Sequence, residues 1–467
     1  MNILNYKLYY FLGVGGIGMS ALARYFNHYG KTVAGYDKTR SALCIELEQE
    51  NIDIHYQENA EALQKLFSSY SPEDILVIYT PAVPKDHQEF VFVSENNYHL
   101  QKRSQVLGEI TRQFRTIAIA GTHGKTTTTT LVTHVLKTAG IDCFAFLGGI
   151  SQNYRTNLLL GNAQNPDAFV VVEADEYDRS FLTLSPHIAV ITSVDADHLD
   201  IYGSAEDMLE SYRQFAGQVL DDGCLIVKKT VDNDLMLNRK RLIYSLNLGT
   251  EYCAGNIHIR EGEFRYDIDS PVEAISHVAI GLPGFHNIEN SIAATAVAQQ
   301  LGIKGDVIRA ALRSFKGVKR RFDYHVKTKS LVYIDDYAHH PEELKAAIGS
   351  AKELYPGKKV TGIFQPHLFS RTRDFADGFA ESLDMLDECI LLEIYPAREQ
   401  PIAGVNSSML LNKMRLQNKY LIPKNDVVAF LKHRELEVVM TLGAGDIDGL
   451  ISPIEALLKE RIDENGS

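Results

Sequence analysis

The stretch Gly121-Thr122-His123-Gly124-Lys125-Thr126-Thr127 gathers two glycines, a lysine and three threonines in seven residues, after the apolar run Thr116 to Ala120. A strand-to-helix turn of this kind aims backbone N–H groups and a helix dipole at phosphate. Lys125 would meet the terminal phosphates of a nucleoside triphosphate and Thr126 a Mg²⁺ ion. The loop is shorter than G-x-x-x-x-G-K-[ST], because Ile119 stands where the earlier glycine would be. A purely structural turn is the competing reading. Glu173 closes the apolar run Phe169 to Val172, at a strand end where α/β proteins place ligand-binding groups, and is a candidate Mg²⁺ ligand. Asp175, Glu176 and Asp178 follow at once and read more simply as a solvated acidic loop. His198, in Asp195-Ala196-Asp197-His198-Leu199-Asp200, is either a surface histidine or a neutral imidazole ligand for a second metal.

Six further segments carry residues that could bind or do chemistry. Gly13-Val14-Gly15-Gly16-Ile17-Gly18-Met19-Ser20 follows an apolar run and fits G-x-G-x-x-G, with Asp37 about 20 residues on. Asn287 and Asn290 share one face of a helix; Asn287 is either its N-cap or a group reading adenine. Asp335-Asp336-Tyr337-Ala338-His339-His340 and Gln365-Pro366-His367-Leu368-Phe369-Ser370-Arg371 each end a strand. Arg320 and Arg321 can reach charge developing on a transferred phosphoryl group, or form a solvated linker. Gly443-Ala444-Gly445-Asp446 is a phosphate loop or a structural turn.

The elements that position these groups alternate strand and helix. A chain of 467 residues exceeds one core, so about three domains are expected. The pattern restarts near residues 111 and 317, which predicts domains at 1–110, 111–316 and 317–467. All three read as α/β: a Rossmann-like first domain, a P-loop-type central domain and a Rossmann-like last one. From Leu242 to Leu282 alternating strands broken by Gly249, Gly255 and Gly262 suggest an antiparallel insertion or edge. The net charge of −13 argues against a broad nucleic-acid surface. No apolar run is long enough for a membrane span. The five cysteines are odd in number and contain no C-x-x-C pair, as expected of reduced core residues in a cytoplasmic protein.

In this order the motifs resemble the Mur ligase family of ATP-dependent amide ligases, and the resemblance covers essentially the whole chain. It rests on G-V-G-G-I-G-M-S at Gly13, G-T-H-G-K-T-T-T at Gly121, E-A-D-E at Glu173, D-H-L-D at Asp197, G-x-H-N-x-x-N at Gly284, D-D-Y-A-H-H-P at Asp335 and Q-P-H-x-x-S-R-T at Gln365. Within the family, the first motif and the last two look most like the member that adds L-alanine. The resemblance implies that UDP-N-acetylmuramate, ATP and L-alanine are held by the first, middle and last domains. It also implies Mg²⁺, two ions per site, with Mn²⁺ as a substitute.

Residue by residue, it implies that Gly15, Gly16, Ile17, Gly18, Met19, Ser20, Asp37, Ser41, Thr80, Pro81 and Ala82 hold the UDP-sugar. Gly121 to Thr127 hold the ATP phosphates, with Asn287, Asn290, Arg321 and Asp335 also around ATP. Thr126, Glu173 and His198 bind metal. Lys125, Glu173, His198, Arg320, Arg321, Asp336 and His339 form the catalytic set, and Tyr337, His339, His367 and Arg371 meet the amino acid. The sequence departs from the family at three points. No lysine lies between His198 and Lys228 to become a carbamylated metal bridge, Leu368 stands where some alanine-adding members have Arg, and Ser193 replaces a frequent Asn.

Three other readings compete. A dinucleotide-dependent oxidoreductase accounts for Gly13 to Asp37 and leaves Lys125, Glu173 and His198 unexplained. A nucleotide-binding regulatory protein needs no sites in the last domain. A related recycling ligase would add a preformed peptide in place of L-alanine.

Overall fold

A computed structural model describes residues 3–162, 164–195, 202–260, 263–397 and 399–465. It contains three sheets, one in each expected domain. In the first, Leu8–Leu12 (β1), Thr32–Tyr36 (β2), Asp53–His55 (β3), Ile75–Tyr79 (β4) and His99–Lys102 (β5) run in the order β3-β2-β1-β4-β5, all parallel. β1 is buried along its whole length, which is why it reads as an unbroken apolar run. The strand order reverses between β1 and β4, so the loops after these two strands bound a crevice.

The second sheet comprises Arg115–Ala120 (β6), Cys143–Ser151 (β7), Thr156–Leu159 (β8), Phe169–Ala174 (β9), Ile188–Ile191 (β10), Cys224–Lys228 (β11), Leu242–Ser245 (β12), Tyr252–Arg260 (β13), Glu263–Asp269 (β14) and Ile275–Ala279 (β15). Its order is β15-β14-β13-β12-β11-β10-β6-β9-β7-β8. β6 lies between β9 and β10, parallel to both. The stretch expected to turn antiparallel at Leu242 instead begins with parallel pairing, β12 lying parallel to both β11 and β13. The third sheet takes Asp323–Lys327 (β16), Val332–Asp336 (β17), Val360–Phe364 (β18), Glu388–Leu391 (β19), Lys419–Leu421 (β20) and Val438–Leu442 (β21) in the order β16-β17-β21-β18-β19-β20. Only β16 is antiparallel to its neighbour.

The chain divides into two compact units, Met1–Gly255 with Ile268–Ser276 and Glu289–Leu312, and Asn256–Asp267 with His277–Ile288 and Arg313–Ser467. In the first unit one apolar core serves both the first and the second sheet. Tyr25, on the helix Ile17–His28, packs edge-on against Phe144 and tilted against Phe146 of β7. Asn157 of β8 is fully buried and donates to Ile17 O and Ser20 Oγ at 2.6 and 2.9 Å.

The helix Lys125–Thr138 is unusual in composition, with threonine at every position from 126 to 130. Threonine is a poor helix former because its branched Cβ restricts rotamers. Here the hydroxyls of Thr129, Thr130, Thr133 and Thr138 donate to the carbonyls four residues earlier at 2.7–2.8 Å. Thr127 to Leu136 are all buried, so tertiary packing holds the helix.

Candidate active site

The phosphate loop forms where β6 ends. Gly121 (φ +137°) and Gly124 (φ +80°) occupy backbone conformations that side chains disfavour. Space excludes side chains as well: a Cβ on Gly121 would lie 2.1 Å from Thr192 Oγ1, and one on Gly124 2.9 Å from Asn290 Oδ1. Ser193 braces the loop, its Oγ accepting from His123 N at 2.7 Å and lying 2.9 Å from Thr122 Oγ1. The serine in place of asparagine therefore has a bracing role of its own. Thr127 is buried, while Thr122, His123 and Gly124 stay partly open.

Thr126 Oγ1 donates to Glu173 Oε2 at 2.8 Å, which joins two of the three expected metal ligands at the head of the helix. The carboxylate fits because residue 148 on β7 is glycine, where a Cβ would lie 1.9 Å from Glu173 Oε2. His198 lies outside the described residues. Lys125 Nζ donates to Gly121 O at 2.6 Å, to Thr122 O at 3.3 Å and to Glu176 at 2.8 Å. Burial pulls the lysine pKa down, yet Glu176, Glu173 and Asp175 outweigh it and the net direction is upward, so Lys125 keeps its charge.

The acidic run after Glu173 is only in part the solvated loop its composition suggested. Glu176 is 2% exposed, Asp175 pairs with Arg103 at 3.3 Å and Asp178 with Lys102 at 2.8 Å. The tandem acids of E-A-D-E were the available signal, and their partners are remote in sequence.

In the first domain the glycine turn follows β1 as expected. Gly15 N donates to Asp37 Oδ2 at 2.8 Å and Thr39 N to Oδ1 at 3.0 Å, so Asp37 braces the turn. Gly16 caps the helix Ile17–His28 without a side-chain bond. Gly15, Gly16, Ile17 and Gly18 are at least partly exposed, whereas Met19 and Ser20 point into the core at 2% and 0% exposure. Ser41 caps the helix Ala42–Gln49, accepting from Cys44 N. Thr80 packs against the Gly13 turn, and Pro81 and Ala82 are exposed.

Asn287 stands inside the helix Phe285–Gln300 and is not its N-cap, its Nδ2 donating to Pro283 O at 2.6 Å. Both Asn287 and Asn290 are buried, and Asn290 adjoins Gly124.

In the second unit, Asp335 and Asp336 end β17. Asp335 is fully buried, accepting from Thr441 Oγ1 at 2.7 Å and from Arg320 Nε at 3.0 Å. Arg320 also donates to Gly443 O at 2.7 Å. Of the two arginines that the sequence left undecided, Arg320 is thereby committed to holding the fold. Arg321 lies over Tyr337 at 5.2 Å and 3.5 Å from Glu343. Asp336 accepts from Phe322 N and Ala338 N at 2.7 and 2.8 Å, and burial still pushes its carboxyl up to about 6 against the pull of Arg321. Burial drives His339 down to about 4 despite Glu343. His339 and His367 have ring centroids 6.2 Å apart, and His367 stacks on Tyr395. Arg371 is buried in the helix Phe369–Asp374. The Gly443 to Asp446 segment is a structural turn seated on Gln365, which bonds Asp446 at 2.7 Å and Ile447 N at 2.9 Å.

The chain belongs to the Mur ligase family. Three of its family models match in tandem: the catalytic domain at residues 8–115, the middle domain at 119–298 and the glutamate ligase domain at 320–447. A UDP-N-acetylmuramate--L-alanine ligase of Parabacteroides distasonis is 48% identical over 99% of both chains. The crystal structure of the UDP-N-acetylmuramate-alanine ligase of Thermotoga maritima superposes with a TM-score of 0.80, at 26% identity, over 98% of this chain and 99% of that one. A murein peptide ligase of Psychrobacter arcticus shares the fold, at TM-score 0.71 and 21% identity over 97% and 98%. Among the described residues, no helix is long and apolar enough to cross a membrane.

Proposed function

We propose that the chain joins L-alanine to the carboxylate of UDP-N-acetylmuramate, converting ATP to ADP and phosphate, as a cytoplasmic step of peptidoglycan precursor synthesis. The observation that carries this is near-half identity across the whole chain to relatives bearing that name. We divide the work among domains at 1–110 for the UDP-sugar, 111–316 for ATP and 317–467 for the amino acid.

A carboxylate and an amine do not condense in water, because oxide is a poor leaving group. Attack of the muramate carboxylate oxygen on the γ-phosphorus breaks the β–γ bond and releases ADP. The alanine amine then adds to the acyl phosphate carbon, and the tetrahedral adduct expels phosphate as the amine loses its proton. Lys125 would hold the migrating phosphoryl oxygens, and Arg321, whose neighbour Arg320 is spent on Asp335, would meet their charge. Ordering the reactants contributes on the order of 7 kcal/mol. Thr126 and Glu173 present two hard oxygens 2.8 Å apart, a donor set that suits Mg²⁺ retaining several waters. Bound there, Mg²⁺ would neutralise phosphate charge. Tyr337, His339, His367 and Arg371 would surround the alanine.

The test is phosphate release from ATP with Mg²⁺ and UDP-N-acetylmuramate, with no acceptor, with L-alanine, or with L-Ala-γ-D-Glu-diaminopimelate. Release with L-alanine supports the reading. Release with the tripeptide alone moves it to the recycling reaction, and none that depends on the UDP-sugar sinks it.

A further inference from the structure

An ammonium has three donors. Lys125 spends all three inside the protein, on Gly121 O, Thr122 O and Glu176. A lysine so placed must give up at least one of these bonds to hold a phosphate. The bond to Glu176 is the one set by a separate loop. That loop is fixed on its inner side by Tyr202, whose hydroxyl donates to Glu176 O at 2.6 Å. On its outer side it is fastened to the first domain, by Asp175 on Arg103 and Asp178 on Lys102. Its Asp178 and Arg179 sit at φ +53° and +52°, a strained backbone that surrounding contacts must hold. Arg103 in turn lies against the start of the helix Ile17–His28, 2.9 Å from where a Gly18 Cβ would be. A guanidinium beside N–H groups at a helix start has the chemistry to attract an anion.

We infer that Glu176 is a positioning residue for Lys125, and that its loop couples the anion site at Gly18 and Arg103 to the phosphate loop. This rests on the ligase reading, in which the first site takes the UDP-sugar diphosphate and the second the ATP phosphates. An anion at the helix start competes with Asp175 for Arg103 and loosens the outer fastening. Phosphates on the Gly121 loop compete with Glu176 for Lys125 and remove a further hold on the loop that carries Glu176. Each ligand removes part of the cost met by the other, and the effect must be equal in both directions.

The experiment titrates the full-length protein with Mg²⁺ and a non-hydrolysable ATP analogue, with and without saturating UDP-N-acetylmuramate. In the parent, the UDP-sugar should lower the analogue Kd about five-fold or more. In Glu176→Gln, which keeps the side-chain shape, and in Arg103→Ala, the two Kd values should coincide while the melting curve stays cooperative. Restoring the anchor with Arg103→Lys should recover part of the ratio. A parent that makes product with L-alanine yet shows no ratio, or variants that keep the parent ratio, would overturn the coupling alone. A parent with no UDP-sugar-dependent phosphate release overturns the ligase reading, and the coupling with it.

Discussion

Lys125–Glu176 and Arg320–Asp335 are both ion pairs with a buried carboxylate near the C-terminal end of a strand, and they are built for opposite ends. Asp335 is surrounded by fixed partners, Thr441 and an arginine itself tied to Gly443 O. Burial nonetheless raises its pKa, so the pair is held by its neighbours at an electrostatic cost. Lys125 sits among three carboxylates that more than offset its burial. Lys125 keeps its charge when it turns to a ligand because several carboxylates surround it; Arg320, always charged, is held in place by Asp335 and Gly443 O and has no such freedom to turn. The same contrast separates their surroundings, since Asp336 and His339 are both pushed toward neutrality while the phosphate loop stays charged.

Arg320→Ala should produce the largest change, leaving Asp335 buried and uncompensated, at a cost of about 3–5 kcal/mol in chemical denaturation. An unchanged midpoint would erase the distinction between the two pairs. Lys125→Ala should also lower stability, since it leaves Glu176 buried without its cation, and should in addition reduce UDP-sugar-dependent phosphate release about 10²–10³-fold. Unchanged phosphate release in the folded variant would make Lys125 a structural residue like Arg320.

The pH dependence sharpens the second half of the comparison. His339, lowered to about 4, remains neutral in the folded state, so the stability it confers is lost as pH falls from 6.5 toward 4. Asp336, raised to about 6, has the opposite slope, with stability falling as pH rises from 3.8 toward 6. The two nearly cancel. His339→Gln should expose the Asp336 slope as a fall of about 3 kcal/mol between pH 4 and 6, read from denaturation at several pH values. The smallest effect belongs to Asp178→Ala, since its pair with Lys102 is more than a third exposed: about 0–1 kcal/mol of stability, measured in the same way.

Local patterns were readable in advance. β6, the glycine loop and the helix after it are contiguous in sequence, so Lys125, Thr126 and the strand-end position of Glu173 followed from spacing alone. What depended on remote partners did not. Glu176 looks like any solvent-facing acid until Lys125 is beside it, and Arg320 and Arg321 are indistinguishable by type. They part because Arg320 takes φ +63° and turns to Asp335. Met19 and Ser20 belong to a glycine-rich motif, yet helix geometry turns them into a core shared with β7 and β8. That shared core also hides the boundary near residue 110, which a restart in the sequence pattern marks but packing does not.

The threonine-rich helix bears on the order in which this molecule can acquire its nucleotide site. Its residues lack the propensity to hold a helix in water, and β6, which delivers the loop, is completed on either side by β9 and β10, both later in the chain. Gly121 is in addition wedged beneath Thr192 and Ser193, which follow β10. During synthesis, therefore, the loop sequence emerges well before the scaffold that shapes it, and its affinity for phosphate is a late product of folding. A chain ending before Ile188 carries every residue of the loop and is expected to bind no nucleotide.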